Sequence, residues 1–441
     1  MARDVSLHDL SKLSAAERGR LLVRSEADLG PIIEKVKPII AAVKAEGDAA
    51  LARFAREFDK SPVDAKKLKA TEADFDAAFK TVEPEVIKAI EFAADGIRRF
   101  HEAQKPEEMW MKEIRPGAYA GDRFMPIPSV ACYVPRGKGS FPSVVMMTTI
   151  PAVVAGVPRV IIVTPPGPDG NIDAATLVAA RLAGVKDVYK CGGAQAVAAV
   201  AYGTQTVPKV AKIVGPGSPY VVAAKRLLSD VIDPGIPAGP SEAIILCDDT
   251  ANGTLAALDL IVESEHGPDS SAFLVTNSRA VADAARKAIP EHWKQMGEQR
   301  VSFSSTVLCG PRGGVVLTPD FDAAIQFVND YAPEHLEIMG KDPFDYLGRI
   351  TNAGEILLGE HTPVPLGNFV LGPNAVLPTS GQARTCSPLS VFDFMKRSSV
   401  GYVTAAGYPL LAKHARVLAT YEGFDGHANA VSEMRDKALK R

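Results

Sequence analysis

From Ser129 onward the chain alternates short β-rich runs with Ala-rich segments of helical period, and this alternation constrains the fold more than any other feature. Val160-Ile161-Ile162-Val163, Val188-Tyr189-Lys190-Cys191 and Lys212-Ile213-Val214-Gly215 predict strands, separated by helices near Ala174–Leu182, Gln195–Ala201 and Pro219–Leu228. Strand, helix and strand in succession make a parallel sheet covered on both faces, so its strands read as apolar runs rather than as alternating patterns. A second series predicts strands near Ala243–Cys247, Ala272–Thr276, Thr306–Cys309, Glu337–Met339 and Glu355–Leu358. The expected class is therefore α/β, with two such domains.

The first hundred residues instead space apolar positions three and four apart, as in Ile32-Ile33…Val36…Ile39-Ile40…Val43, and predict a helical N-terminal segment. The tail from about Pro388 reads as helical again. The expected organisation is an N-terminal arm (1–25), a first α/β domain (26–132 with 243–387), a second (133–242) and a helical C-terminal tail (388–441). A chain of 441 residues is long enough for more than one core. The longest apolar tract, Ser143 to Val163, is broken by Pro151, Pro158 and Arg159, so it predicts a buried helix, a turn and a core strand rather than a membrane span. A net charge of −3 gives no electrostatic reason to expect nucleic acid. Five scattered cysteines without a CxxC pair fit reduced thiols in a cytoplasmic protein.

Three local patterns could carry chemistry. Glu263-x-x-His266 places a carboxylate and an imidazole on one helix face just before Gly267-Pro268, as a half metal site or as ordinary surface charge. Pro333-Glu334-His335 sets a carboxylate beside an imidazole on a rigid turn, which alone is more often surface decoration than catalysis. Gly192-Gly193-Ala194-Gln195 follows a strand and opens a helix; it could present backbone N–H groups to phosphate or be a structural tight turn.

Taken in order, Tyr133-Val134-Pro135, Gly192-Gly193-Ala194-Gln195-Ala196, Gly215-Pro216-Gly217, Pro237 to Glu242, Glu265 to Asp269, Asn329 to Leu336 and Leu377-Pro378-Thr379 resemble the signature of the histidinol dehydrogenase family over roughly residues 20 to 430. The resemblance implies two incomplete Rossmann-like domains, a homodimer with exchanged C-terminal tails, one zinc ion per active site, and NAD as oxidant of a primary alcohol through an aldehyde to a carboxylate. Carried onto this chain, it implies zinc ligands at Glu263, His266, Asn368 and the partner's His427. It implies His335 as the base, Glu334 as activator of water, NAD contacts at Tyr133, Gln195 and Ser218, and substrate contacts at Ser241 and Glu422 as well as at His335 and the four metal ligands.

Several positions depart from the family pattern. Glu263 stands where glutamine is usual and Asn368 where aspartate is, Ala375 replaces a histidine, Phe369 a tyrosine, Ser218 an asparagine, and Arg136 a glycine. The exchange of Glu263 and Asn368 moves the negative charge to the other side of the metal and predicts a changed substrate preference, or is neutral drift within a preserved shell. A pocket that loses a histidine and gains a guanidinium suits a small anionic polyol, with Arg136 as the anion clamp or as a solvent-facing loop arginine. On that ground the chain resembles the sulfopropanediol 3-dehydrogenase branch, which oxidises (R)-2,3-dihydroxypropane-1-sulfonate to sulfolactate. The alternatives are an L-histidinol dehydrogenase, favoured by Glu422, Ser241 and the Glu334-His335 pair, and a non-catalytic metal-binding or scaffold protein.

Overall fold

The computed structural model describes residues 4–24, 29–136 and 139–439. Its backbone gathers into two units, Met1–Lys105 with Ile127–Phe394, and Pro106–Pro126 with Met395–Arg441. The larger unit holds two wholly parallel sheets. The first has four strands in the spatial order Asp187–Lys190, Val160–Thr164, Val130–Tyr133, Lys212–Val214. On one face lie helices Gly193–Tyr202 and Pro219–Leu227, with Leu29–Glu46 and Asp48–Phe58 packed on them, so that Val36, Val43, Leu51 and Phe54 share a core with Val197, Val221, Ile161 and Ile213.

The second sheet has six strands in the order Leu7–Asp9, Gly313–Leu317, Ser271–Thr276, Glu242–Cys247, His335–Met339, Glu355–Leu358. Its side chains sort by the period of two: Ile245, Leu274 and Val315 enter one core, and Ile244, Phe273, Val316 and Leu336 enter the other. Burial on both faces explains why Ala243 to Cys247 is an unbroken apolar run with every residue inaccessible.

In both sheets the chain winds one way from a central strand and then returns to its other side. The reversal falls between Val130–Tyr133 and Lys212–Val214 in one sheet, and between Glu242–Cys247 and His335–Met339 in the other. This is the expected α/β class, with helices leading and closing the chain. One expected strand is corrected. Thr306 to Leu308 is the last turn of helix Glu298–Leu308, which turns Val307 and Leu308 into the core. The strand follows instead at Gly313–Leu317, whose paired glycines hid it.

The smaller unit is a three-stranded antiparallel sheet, with Ala118–Pro126 between Met395–Val403 and Met109–Arg115, followed by helices Tyr408–Tyr421, Asp425–Ala430 and Glu433–Leu439. Its outer strands are mostly exposed and carry no apolar alternation, so no sequence pattern announced them. Among the described residues no helix is long and apolar enough to cross a membrane. Cys132, Cys191 and Cys247 are buried thiols.

Phe273 is inaccessible and meets Phe327 and Tyr331 edge-on at centroid distances of 6.0 and 5.8 Å. Truncating Phe273 to Ala is expected to cost about 3–5 kcal/mol of unfolding free energy, read from the midpoint of urea denaturation.

Candidate functional site

A backbone turn delivers the central pair of side chains. Helix Phe321–Tyr331 ends at Ala332, whose φ of 52° reverses the chain, and Pro333 then prevents the helix from resuming. Glu334 and His335 are thereby set at the leading edge of the six-stranded sheet. His335 opens its strand opposite Ala243 on one side and Glu355 on the other. Helix Gly253–Ser264, capped at its start by the Asn252 side chain, brings Glu263 to the same place from its last turn.

These groups form one buried cluster. His335 Nδ1 lies 2.9 Å from Glu355 Oε2, and its Nε2 faces Glu334 Oε1 at 3.9 Å and Glu263 Oε1 at 4.0 Å. Glu334 is held by the backbone N–H of Glu242, which donates to its Oε2 at 2.9 Å. Glu263 accepts from Asn368 Nδ2 at 3.1 Å, lies 3.2 Å from His266 Nδ1, and is bonded by the Ser241 hydroxyl. Behind them Glu242 accepts from the Ser380 N–H at 2.9 Å and pairs with Arg24 at 2.9 Å. The Arg24 guanidinium is spent on that pair, on the Tyr331 carbonyl and on the Tyr331 ring.

The electrostatics follow from too many carboxylates in too little water. Burial alone would lower the pKa of His335, but Glu263, Glu355 and Glu334 together raise it to about 9. Burial, opposed by His335 and reinforced by Glu263, raises Glu334 to about 8. Burial would also raise Glu263, yet His266, His335, Asn368 and Ser241 outweigh it and hold that carboxyl below its ordinary value. Four carboxyls, Glu242, Glu263, Glu334 and Glu355, thus stand against Arg24 and His335. The arrangement favours a positive ligand.

The NAD residues expected from the sequence lie elsewhere in this unit, at the trailing edge of the four-stranded sheet. Tyr133 ends the strand beside its reversal point, and its buried hydroxyl accepts from the Gly193 N–H at 3.0 Å. Gln195 is buried in the first turn of helix Gly193–Tyr202, and Ser218 precedes helix Pro219–Leu227. The glycines let backbones close in: a Cβ on Gly215, at φ 107°, would lie 2.2 Å from the Tyr133 carbonyl oxygen. Open parallel sheets bind ligands in this crevice, outside the carboxyl ends of the strands at the reversal.

Other expectations are corrected. Arg136 is committed to the loop after Thr164, where its Nη1 donates to the Asn171 carbonyl at 3.0 Å; it is not grouped with the His335 carboxylates as an anion clamp. Among the described residues no group of three or more His, Cys, Asp or Glu is placed to hold a metal ion; of the expected zinc set one chain supplies Glu263, His266 and Asn368, only two of them of those types, and the fourth ligand, His427, was expected from the partner. Glu263, His266 and Asn368 converge, whereas Glu422 and His427 are exposed residues of the smaller unit, at the end of helix Tyr408–Tyr421 and within helix Asp425–Ala430. Glu355, Glu242 and Arg24 had no assigned role in the sequence reading. A glutamate opening an apolar strand, as in Glu355-Ile356-Leu357-Leu358, was the available signal.

Two parallel sheets of reversed winding, one with a glycine-lined crevice and one with a buried imidazole among carboxyls, define a Rossmann-like α/β protein. The chain belongs to the histidinol dehydrogenase family, whose model matches residues 22–435. It is 68% identical over 436 residues to histidinol dehydrogenase homolog 2 of Mesorhizobium japonicum, covering 99% of each chain. It is 46% identical to the histidinol dehydrogenase of Synechocystis sp., covering 96% of this chain and 98% of the relative. The crystal structure of histidinol dehydrogenase from Elizabethkingia anophelis superposes with a TM-score of 0.93 at 32% identity, covering 100% of this chain and 99% of that one.

These relatives overturn the assignment to the sulfopropanediol branch, and the geometry gives the reason. The exchange of Glu263 and Asn368 against the family pattern joins two residues in hydrogen-bond contact, so the negative charge stays in place and is no sign of a different substrate.

Because the folded pKa of His335 lies above its ordinary 6.5, the protonated ring stabilises the fold fully below that value, and the contribution is lost as pH rises through about 9. Histidine ring NMR is expected to find His335 titrating near pH 9, and distinctly lower in Glu355→Gln. An unchanged titration in the variant contradicts the cause given.

Proposed function

We propose that this chain is an NAD-dependent L-histidinol dehydrogenase, carrying a primary alcohol through a bound aldehyde to a carboxylate. The observation that carries this reading is the surplus of buried carboxyl around His335. L-Histidinol bears an ammonium and an imidazole, and both are drawn to such a site. The relatives named histidinol dehydrogenase support the same substrate.

In the proposed reaction His335 takes the hydroxyl proton as hydride leaves carbon for NAD. Glu334 then takes a proton from water as it adds to the aldehyde, and the hydrate gives a second hydride to a second NAD. One alcohol, one water and two NAD yield one carboxylate, two NADH and three protons. Tyr133, Gln195 and Ser218 position NAD at the crevice, and Ser241 and Glu422 contact the substrate. Closing the aldehyde within one site keeps it from bulk water.

For a metal, the donor types of Glu263, His266 and Asn368 fit zinc, and the ionised state of Glu263 suits a cation. A zinc ion held there would act as a Lewis acid toward the substrate oxygen. The chain is also proposed to act as a cytoplasmic homodimer, with the partner's His427 and Glu422 completing each site. The support is the exposed apolar surface of the smaller unit, including Trp110, Tyr402, Leu410, Val417, Leu418 and Phe424.

Purified protein is expected to form two NADH per L-histidinol consumed, counted at 340 nm; no NADH from L-histidinol ends the proposal. The rate is expected to climb between pH 7 and about 9 as Glu334 and His335 lose their protons. His335→Asn is expected to lower kcat by roughly two to four orders of magnitude. Metal analysis should show zinc lost from His266→Ala.

Shared sites have their own test. Neither His335→Asn nor His427→Ala subunits should be active alone, while mixing and refolding them should restore about a quarter of wild-type activity, because half the dimers then carry one intact site. No recovery would contradict the exchange.

A further inference from the structure

Two residues along the strand from His335, Glu337 is completely inaccessible, and neither of its carboxyl oxygens meets a hydrogen-bond donor. On its strand neighbours it is registered against Ile245 and Leu357, which offer nothing polar. What faces it is the carboxyl of Asp259, itself buried, one helical turn before Glu263 on helix Gly253–Ser264. His335 and Glu337 project from the same side of their strand, and Asp259 and Glu263 from the same side of their helix. The Glu337–Asp259 contact therefore repeats the His335–Glu263 contact one layer deeper, between the same two elements.

Two carboxyls with no cation between them cannot both be ionised in a dry interior. One proton must lie between their oxygens. We propose that Glu337 and Asp259 share a proton, and that this carboxylic acid–carboxylate hydrogen bond is a positioning device that fixes the spacing between His335 and Glu263. Deprotonation replaces attraction by repulsion between the strand and the helix. The titratable groups facing it among the described residues work in the same direction: Glu355 on the next strand, Glu360 beyond it and the Cys247 thiol on the strand at the other side are all acidic groups. His335, on the same strand, is the cation of the adjacent layer and is engaged by Glu355. Burial, the Asp259 charge and their mutual bond hold the Glu337 proton up to about pH 9.

The functional arm rests on the role proposed for His335; the stability arm does not. Because the folded pKa of Glu337 lies far above the ordinary carboxyl value of 4.5, stability falls as pH rises from that value until the proton is lost near pH 9. Glu337→Gln keeps an amide donor for Asp259 but has no proton to lose. Its melting temperature is expected to fall less than that of the wild type between pH 6 and pH 9.5, whatever the substrate. Parallel falls overturn the shared proton.

With L-histidinol and NAD, wild-type kcat is expected to decline above pH 9, whereas E337Q should stay within about twofold of wild type at neutral pH and hold a plateau above pH 9. Glu337→Met has similar length but no donor, and should lose kcat about tenfold or more at every pH with KM little changed. If E337Q is as impaired as E337M, or declines above pH 9 like the wild type, the positioning role is wrong. If E337M does not fold, the pH profile of E337Q decides alone. Failure to oxidise L-histidinol while the melting profiles differ as expected removes the proposed substrate and leaves the proton bond standing.

Discussion

The larger unit depends on a contest between burial and charge at one edge of its six-stranded sheet. A parallel sheet covered on both faces leaves almost no place for polar side chains except the ends of its strands, and there Glu242, His335 and Glu355 open three neighbouring strands side by side. Removed from water, each carboxyl keeps its charge only where a donor or cation reaches it. The Glu242 N–H, the Ser380 N–H, Arg24, Asn368 and His335 supply those contacts, and the positions of the surrounding loops follow from the need to supply them.

From this contest the chemistry also follows. An imidazole hemmed in by carboxyls holds its proton more tightly than a free one, and a buried glutamate beside it does the same. In the proposed reaction this pair exchanges protons with an alcohol and with water on the alkaline side of neutrality. The surplus of carboxyls over cations is what supports the proposed preference for a substrate bearing an ammonium or an imidazole. The same surplus would suit a divalent cation, which is why the donors of a metal and the attraction for a cationic substrate come from one cluster.

The two sheets use opposite edges. In the four-stranded sheet the Tyr133, Gly193 and Gly215 contacts sit outside the carboxyl ends of the strands at the reversal, where open parallel sheets bind their ligands. In the six-stranded sheet the carboxyls and the imidazole sit at the amino ends instead, carried in by the left-handed turn at Ala332 and the last turn of helix Gly253–Ser264. The same winding therefore serves two purposes. One sheet leaves a glycine-lined crevice at its reversal, and the other gathers titratable side chains at its opposite edge.

Sequence by itself determined the α/β class, because alternating apolar runs and Ala-rich helices can bury their surfaces only as covered parallel sheets. It also brought out Glu263, His266, Glu334 and His335, because the helical and turn spacings that join each pair are local. It missed the strands at Met109–Arg115 and Met395–Val403, whose exposed faces carry no period, and Met395–Val403 in addition pairs with Ala118–Pro126 from far along the chain. It read the Glu263 and Asn368 exchange as a change of substrate, because only the fold shows the two side chains bonded to each other. Arg136 looked like a free cation until the loop carbonyl that holds it was in view. Which carboxyls crowd His335, and so the sign of the site, was decided by tertiary structure alone: charge acts through distance, and the register of three strands sets the distances.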